Sequence, residues 1–123
     1  MGRCRVVAPA VERLPLSDGD FVDVNKELNS GQYVEMLGAL VDRKPFAKPL
    51  AYLVGWSLVG LDGQPLPYDL DLPEEVRRAT IGSLDKATMR EITAAIDRHE
   101  AAEEAALDAK KKTPASSPAS NPT

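Results

Sequence analysis

The chain has little of what most active-site chemistry needs. Its 123 residues include one cysteine, one histidine and one tryptophan. A lone cysteine, Cys4, excludes an internal disulfide and agrees with a reducing compartment. No second His and no Cys stands near His99, whose neighbours Arg98 and Glu100 point to a solvated helix position rather than a metal ligand. No G-x-S-x-G motif occurs, and Gly60-Leu61-Asp62-Gly63 lacks the Lys-Ser/Thr of a phosphate loop. The carboxylate pairs Glu74-Glu75 and Glu103-Glu104 are chain neighbours, which diverge on a helix and do not form an acid/base couple. The sequence therefore predicts no enzyme, no cofactor and no metal. A basic excess is missing too. Fifteen Lys and Arg stand against nineteen Asp and Glu, giving a net charge of -4. That balance offers no general attraction to nucleic acid or anionic lipid. No apolar run follows Arg3 and Arg5, so no signal peptide is expected.

What is present centres on Pro49 to Leu61, an uncharged stretch holding Trp56. It is too short to span a bilayer. Its apolar residues lie on nearly all sides of a helical wheel, which predicts a buried core helix. Gly60 would end that helix in the left-handed C′ position, and Asp62-Gly63 would turn the chain. A hairpin over Trp56 to Tyr68 is the weaker reading, because Pro65 and Pro67 each remove a ladder donor.

The rest divides into three parts. Residues 1–10 read as a flexible N-terminus, residues 11–112 as one small domain, and residues 113–123 as a disordered tail of Thr, Pro, Ala, Ser and Asn. Within the domain, Val11 to Leu16 and Phe21 to Lys26 read as strands joined by Ser17-Asp18-Gly19-Asp20. Val22 and Val24 share a face, and Pro15 places the first strand at an edge. A helix from Gly31 to Arg43 follows, capped by Ser30, with Tyr33, Leu37, Leu40 and Val41 as its apolar stripe. Pro45 stops it, and Arg43 to Pro49 reads as a linker. Asp71 and Glu74 have capping-box spacing and would open a helix that turns Val76 and Ala79 inward and ends at Gly82. Asp85 caps the last helix, whose core stripe is Met89, Ile92 and Ile96. Beyond about His99 its apolar residues are nearly all alanine, with little to bury, so it should project into solvent and close at Lys110-Lys111-Lys112. The fold class predicted is α+β and predominantly helical: an N-terminal β-hairpin, about four helices and a disordered tail.

The helices on either side of Gly82 have helix-turn-helix spacing, which would suit a DNA-binding phage or host regulator. The second helix carries Lys86, Arg90 and Arg98, but also Asp85, Glu91 and Asp97. So little net positive charge binds phosphates poorly, and an ordinary αα-corner is the simpler reading.

Several segments, in order, resemble the tail assembly chaperones of long-tailed bacteriophages, in particular those of actinobacterial phages and prophages. They are Leu14 to Val24 (LPLSDGDFVDV), Lys26 to Tyr33 (KELNSGQY), Ala51 to Leu58 (AYLVGWSL), Asp62 to Leu66 (DGQPL), Ser83-Leu84-Asp85 and Ile96 to Glu100 (IDRHE). The resemblance runs from about Val11 to Lys112. It departs between Lys44 and Pro49, where similar proteins carry a longer insert, and this leaves the connection between the first two helices open. It implies a non-enzymatic protein of the host bacterial cytoplasm, absent from the mature virion. The implied partner is the tape measure protein, kept soluble while the tail tube forms; the major tail tube protein is a second candidate. Nucleic acid, membrane and small-molecule substrate are not implied. A structural tail or connector component of the virion is a further alternative. Helix-in-groove docking would be the physical basis, with Tyr52, Trp56 and Tyr68 as candidate contacts. Similar chaperones are made in two lengths by a programmed frameshift; the A-rich codons implied by Lys110, Lys111 and Lys112 would be the slippery site.

Overall fold

A computed structural model describes the backbone of residues 2–116 and side chains as far as Ala109. The fold is α+β, with a three-stranded antiparallel sheet and four helices. Strand β1 (Val11–Pro15) and strand β2 (Phe21–Asn25) form the expected hairpin, with Val11 opposite Asn25 and Pro15 opposite Phe21. A 3-10 turn at Ser17–Gly19 joins them. Asp18 and Gly19 both take positive φ there, which Asp tolerates and Gly adopts freely. Strand β1 is an edge, in keeping with Pro15. Val22 and Val24 are fully buried on one face.

Helix α1 (Ser30–Val41) is capped by Asn29, not Ser30. The Asn29 Oδ1 accepts from the Gln32 N–H and the Gln32 Oε1 accepts from the Asn29 N–H, both at 2.9 Å. This reciprocal box satisfies two otherwise orphan donors, which Ser30 one residue later could not do. After a turn with Arg43 and Phe46 at positive φ, helix α2 (Ala47–Tyr52) begins inside the expected linker.

The chain then departs from the expected core helix. Leu53–Trp56 is strand β3, paired antiparallel to β2, with Trp56 opposite Val22 and Leu53 opposite Val24. The register slips between Asp23 and Val24, leaving Val54 as a bulge. The physical reason is non-local. Without β3 the second edge of β2 would keep its N–H and C=O groups unpaired, and Leu-Val-Gly-Trp suits a half-buried pleated surface as well as a helix. Gly60 consequently ends no helix, and its φ is not positive; Gly63, at φ 78, makes the turn. The hairpin reading survives only as one bridge, Val59 to Pro65, because the prolines supply no further donors.

Helix α3 (Glu74–Gly82) starts at Pro73 with no side-chain cap. The Asp71–Glu74 box does not form. Glu74 instead pairs with Arg78 one turn on (3.0 Å), and Arg78 also donates to the Pro45 carbonyl (3.2 Å). Val76 and Ala79 face solvent, and Ile81 is the buried residue of α3, because Arg78 and the α2 contact fix the opposite side inward. Helix α4 (Lys86–Ser116) is capped by Asp85, whose carboxylate accepts from the Thr88 N–H at 2.7 Å. That bond holds the Asp85 carboxyl below the usual carboxylate range.

The core gathers Val22, Val24, Tyr52, Leu53, Ile81, Ile92 and Ile96, so one stripe of α4 covers the buried face of the sheet. The α4 backbone runs through Thr113 and Pro114, past the expected end at Lys112. Of the tail expected to be disordered, 113–123, residues 113–116 continue α4 and 117–123 lie outside the described residues.

Candidate functional site

The apolar stripe of α1 points away from the core. Tyr33, Val34, Leu37, Leu40 and Val41 are 41% to 80% exposed. At 100° per residue they share about a third of the helix circumference. Met36 is the buried residue of α1, flanked by half-buried Gln32 and Ala39. The five-residue connection to α2 explains the orientation. With Arg43 and Phe46 held in left-handed conformations, the chain reverses so that Met36 and Ala39 meet α2 and the stripe is left outside. Small Ala39 permits the approach, and a Cβ placed on Gly82 of α3 would come within 3.4 Å of the Phe46 ring. The result is an apolar face about two and a half turns long, from Tyr33 to Val41, turned outward. That is the geometry by which one helix offers anchors at i, i+3, i+4 and i+7 to another.

Beside this face, α1, α2 and α3 enclose a groove of about 470 Å³. Its walls balance Glu35, Asp42 and Glu74 against Lys44, Arg77 and Arg78. A smaller groove of about 250 Å³ lies between the hairpin and α4, over Ala102, Ala106 and Leu107.

The aromatic candidates lie elsewhere. Tyr52 and Tyr68 are buried core residues. Tyr52 donates its hydroxyl to Glu103. Trp56 is half-buried, stacks on Tyr68 with centroids 4.5 Å apart, and donates Nε1–H to the Leu66 carbonyl at 2.9 Å. Trp56 and Tyr68 are thus together, with Tyr52 apart, and none belongs to the α1 face. Burial raises the hydroxyl pKa of both tyrosines, helped at Tyr52 by Glu103 and opposed at Tyr68 by Arg77.

His99 is buried, not solvated. Its Nε2 donates to the Asn25 carbonyl (2.9 Å), its Nδ1 lies 3.8 Å from Glu12, and its ring meets Tyr52 edge-on at 5.6 Å. A carbonyl acceptor and an aromatic edge offset the cost of burial. Core contacts of α4 consequently extend one turn beyond His99, to Glu103, and the projecting part begins there. Lys48 of α2 adds ion pairs to Asp97 (3.0 Å) and Glu100 (2.7 Å) of α4.

Among the described residues no group of three or more His, Cys, Asp or Glu could hold a metal ion, and no helix is long and apolar enough to cross a membrane. Lys86, Arg90 and Arg98 are exposed on α4 together with Asp85 and Asp97. Lys110, Lys111 and Lys112 continue the α4 backbone, and their side chains lie outside the described residues. Sequence periodicity found most of the α1 stripe but omitted Val34. No family model, curated protein or solved structure matches the chain.

Proposed function

We propose that this protein is a bacteriophage tail assembly chaperone that docks amphipathic helices of the tape measure protein on the outer face of α1. The observation that carries the reading is the exposed five-residue apolar face, Tyr33, Val34, Leu37, Leu40 and Val41. A contiguous apolar patch on a small acidic domain is a liability unless it serves binding. A helix of matching periodicity is the simplest surface to cover it. The net charge of -4 and the mixed charges of α4 favour this reading over duplex DNA recognition. The sequence resemblance supplies the identity of the partner. The chaperone acts in the host cytoplasm and is left out of the virion. A longer product arises by frameshifting at the codons of Lys110 to Lys112.

Co-purification tests the docking. The tape measure protein should elute with the tagged chain, and Leu37→Asp or Val41→Asp should remove it while far-UV circular dichroism stays unchanged. Retention of the partner by both variants would reject the α1 face. Mass spectrometry of purified virions should find no copy of the chain; stoichiometric presence would favour a structural tail component.

A further inference from the structure

We propose that the groove between α1 and α3 docks an amphipathic helix of a partner protein, with basic residues seven positions apart on the flank facing α1 and acidic residues on the flank facing α3. The site is separate from the outer face of α1, and its test needs no tape measure protein.

The groove is a trough. Helix α2 packs against both α1 and α3, and its Leu50 and Ala51 give the trough an apolar floor. The α1 wall carries Glu35 and Asp42, seven positions and so about 10.5 Å apart along the helix. Neither carboxylate has an ion pair or hydrogen bond among the described residues. Asp42 also stands against the local field. It caps the C-terminus of α1, the negative end of the helix dipole, and the last turn holds no basic residue. An incoming cation offsets both charges. On the α3 wall, Arg77 donates Nε–H to the Leu72 carbonyl (3.1 Å) but pairs with no carboxylate among the described residues. Each wall therefore offers a charge that the chain itself leaves unmatched.

Gly38 stands between Glu35 and Asp42 on the α1 wall. Glycine weakens a helix interior, and nothing in the fold requires it here. Its φ is not positive, and a Cβ built on it meets no atom within 4 Å. Close approach of a partner between the two carboxylates does require it.

The shape selects a helix. Spread along 10.5 Å, the 470 Å³ of the groove gives a cross-section of about 45 Å², a little over half that of a helix 10 Å across. A helix sits half-embedded, with its apolar row on the floor and its flanking charges level with the walls. Coiled coils use the same division, with apolar residues at the seam and charges beside it. An extended chain finds no backbone partners, because both walls are helices whose own groups are already bonded.

Two stapled amphipathic peptides of roughly fifteen residues, with the same leucine row, test this against the full chain. The first carries lysines seven apart on one flank and glutamates on the other. The second carries glutamates on both. By fluorescence anisotropy the wild type should bind the first about fivefold or more tightly than the second. Glu35→Lys/Asp42→Lys should reverse that order. Gly38→Leu should weaken binding of the first peptide without lowering the melting temperature. All three positions are exposed, so the variants should keep the wild-type circular dichroism. Leu37→Asp/Val41→Asp, on the outer face, should bind the first peptide as the wild type does. Four results each overturn the groove as the site: no binding of the first peptide at roughly 1 mM, an unchanged order in Glu35→Lys/Asp42→Lys, full affinity in Gly38→Leu, or lost affinity in Leu37→Asp/Val41→Asp. None of them bears on capture of the tape measure protein, which co-purification reads separately.

Discussion

Tyr52 and Glu103, fifty-one positions apart, meet as hydroxyl donor and carboxylate acceptor at 2.5 Å. The other carboxylate oxygen of Glu103 accepts the Leu28 N–H at 2.9 Å, so one side chain of α4 fastens both α2 and the entry to α1. Tyr52→Phe should cost about 1.5–3 kcal/mol at neutral pH, the range for a hydrogen bond to a charged group. The pH dependence has a definite sign. Burial and Glu103 raise the Tyr52 pKa in the folded state, while an unfolded tyrosine ionises near its ordinary value of 10. Stability from this group is complete below about pH 10 and declines above it, because the unfolded chain then binds fewer protons. Tyr68 contributes with the same sign. Urea unfolding between roughly pH 8 and 11 should show a steeper loss for the wild type than for Tyr52→Phe. Equal slopes would contradict the assignment.

The two apolar stripes, on α1 and α4, should respond oppositely to truncation. Ile92 is fully buried against the sheet, so Ile92→Ala should destabilise by about 2–5 kcal/mol. Leu37 lies on the outer face of α1, so Leu37→Ala should change stability by about 0.5 kcal/mol or less. Chemical denaturation measures both. A loss at Leu37 comparable with Ile92 would place the α1 stripe in the core.

Capping of α1 rests on Asn29. Asn29→Ala removes the acceptor for the Gln32 N–H and should cost about 1 kcal/mol, with Asn29→Asp retaining most of it. Ser30→Ala should be close to neutral. The reverse order in thermal melts would restore Ser30 as the cap.

The Tyr68 hydroxyl is buried without a hydrogen-bond partner among the described residues. Arg77 is close enough to favour its ionised form, but the pair lacks hydrogen-bond geometry. Removing an unsatisfied polar group leaves nothing behind to desolvate, so Tyr68→Phe should be neutral or stabilising. Its stacking on Trp56 survives the change. A loss above about 1 kcal/mol would show that the hydroxyl has a partner.

Local signals carried much of this fold. Ser17 to Asp20 marked the turn, the Val22–Val24 alternation marked the buried face of β2, and Asp85 marked the start of α4. Several misreadings depend on distant residues. Leu53–Trp56 is a strand because β2, about thirty positions earlier, offers an open edge. His99 is buried because Asn25 and Tyr52 await it. The periodicity of Tyr33, Leu37, Leu40 and Val41 identified residues sharing a face, but the direction of that face was set by the turn through Arg43 and Phe46. The candidate site was therefore visible as a pattern and invisible as a surface.

Capture of the tape measure protein by the α1 face is the proposal on which the function rests. The most direct measurement is the soluble fraction of that protein, expressed alone, with this chain, and with a Leu37→Asp/Val41→Asp variant. A several-fold rise is expected with the wild-type chain and none with the variant, both chains being equally folded and abundant. A tape measure protein equally insoluble in all three cases would contradict the chaperone reading. One equally rescued by the variant would contradict the α1 face as its site.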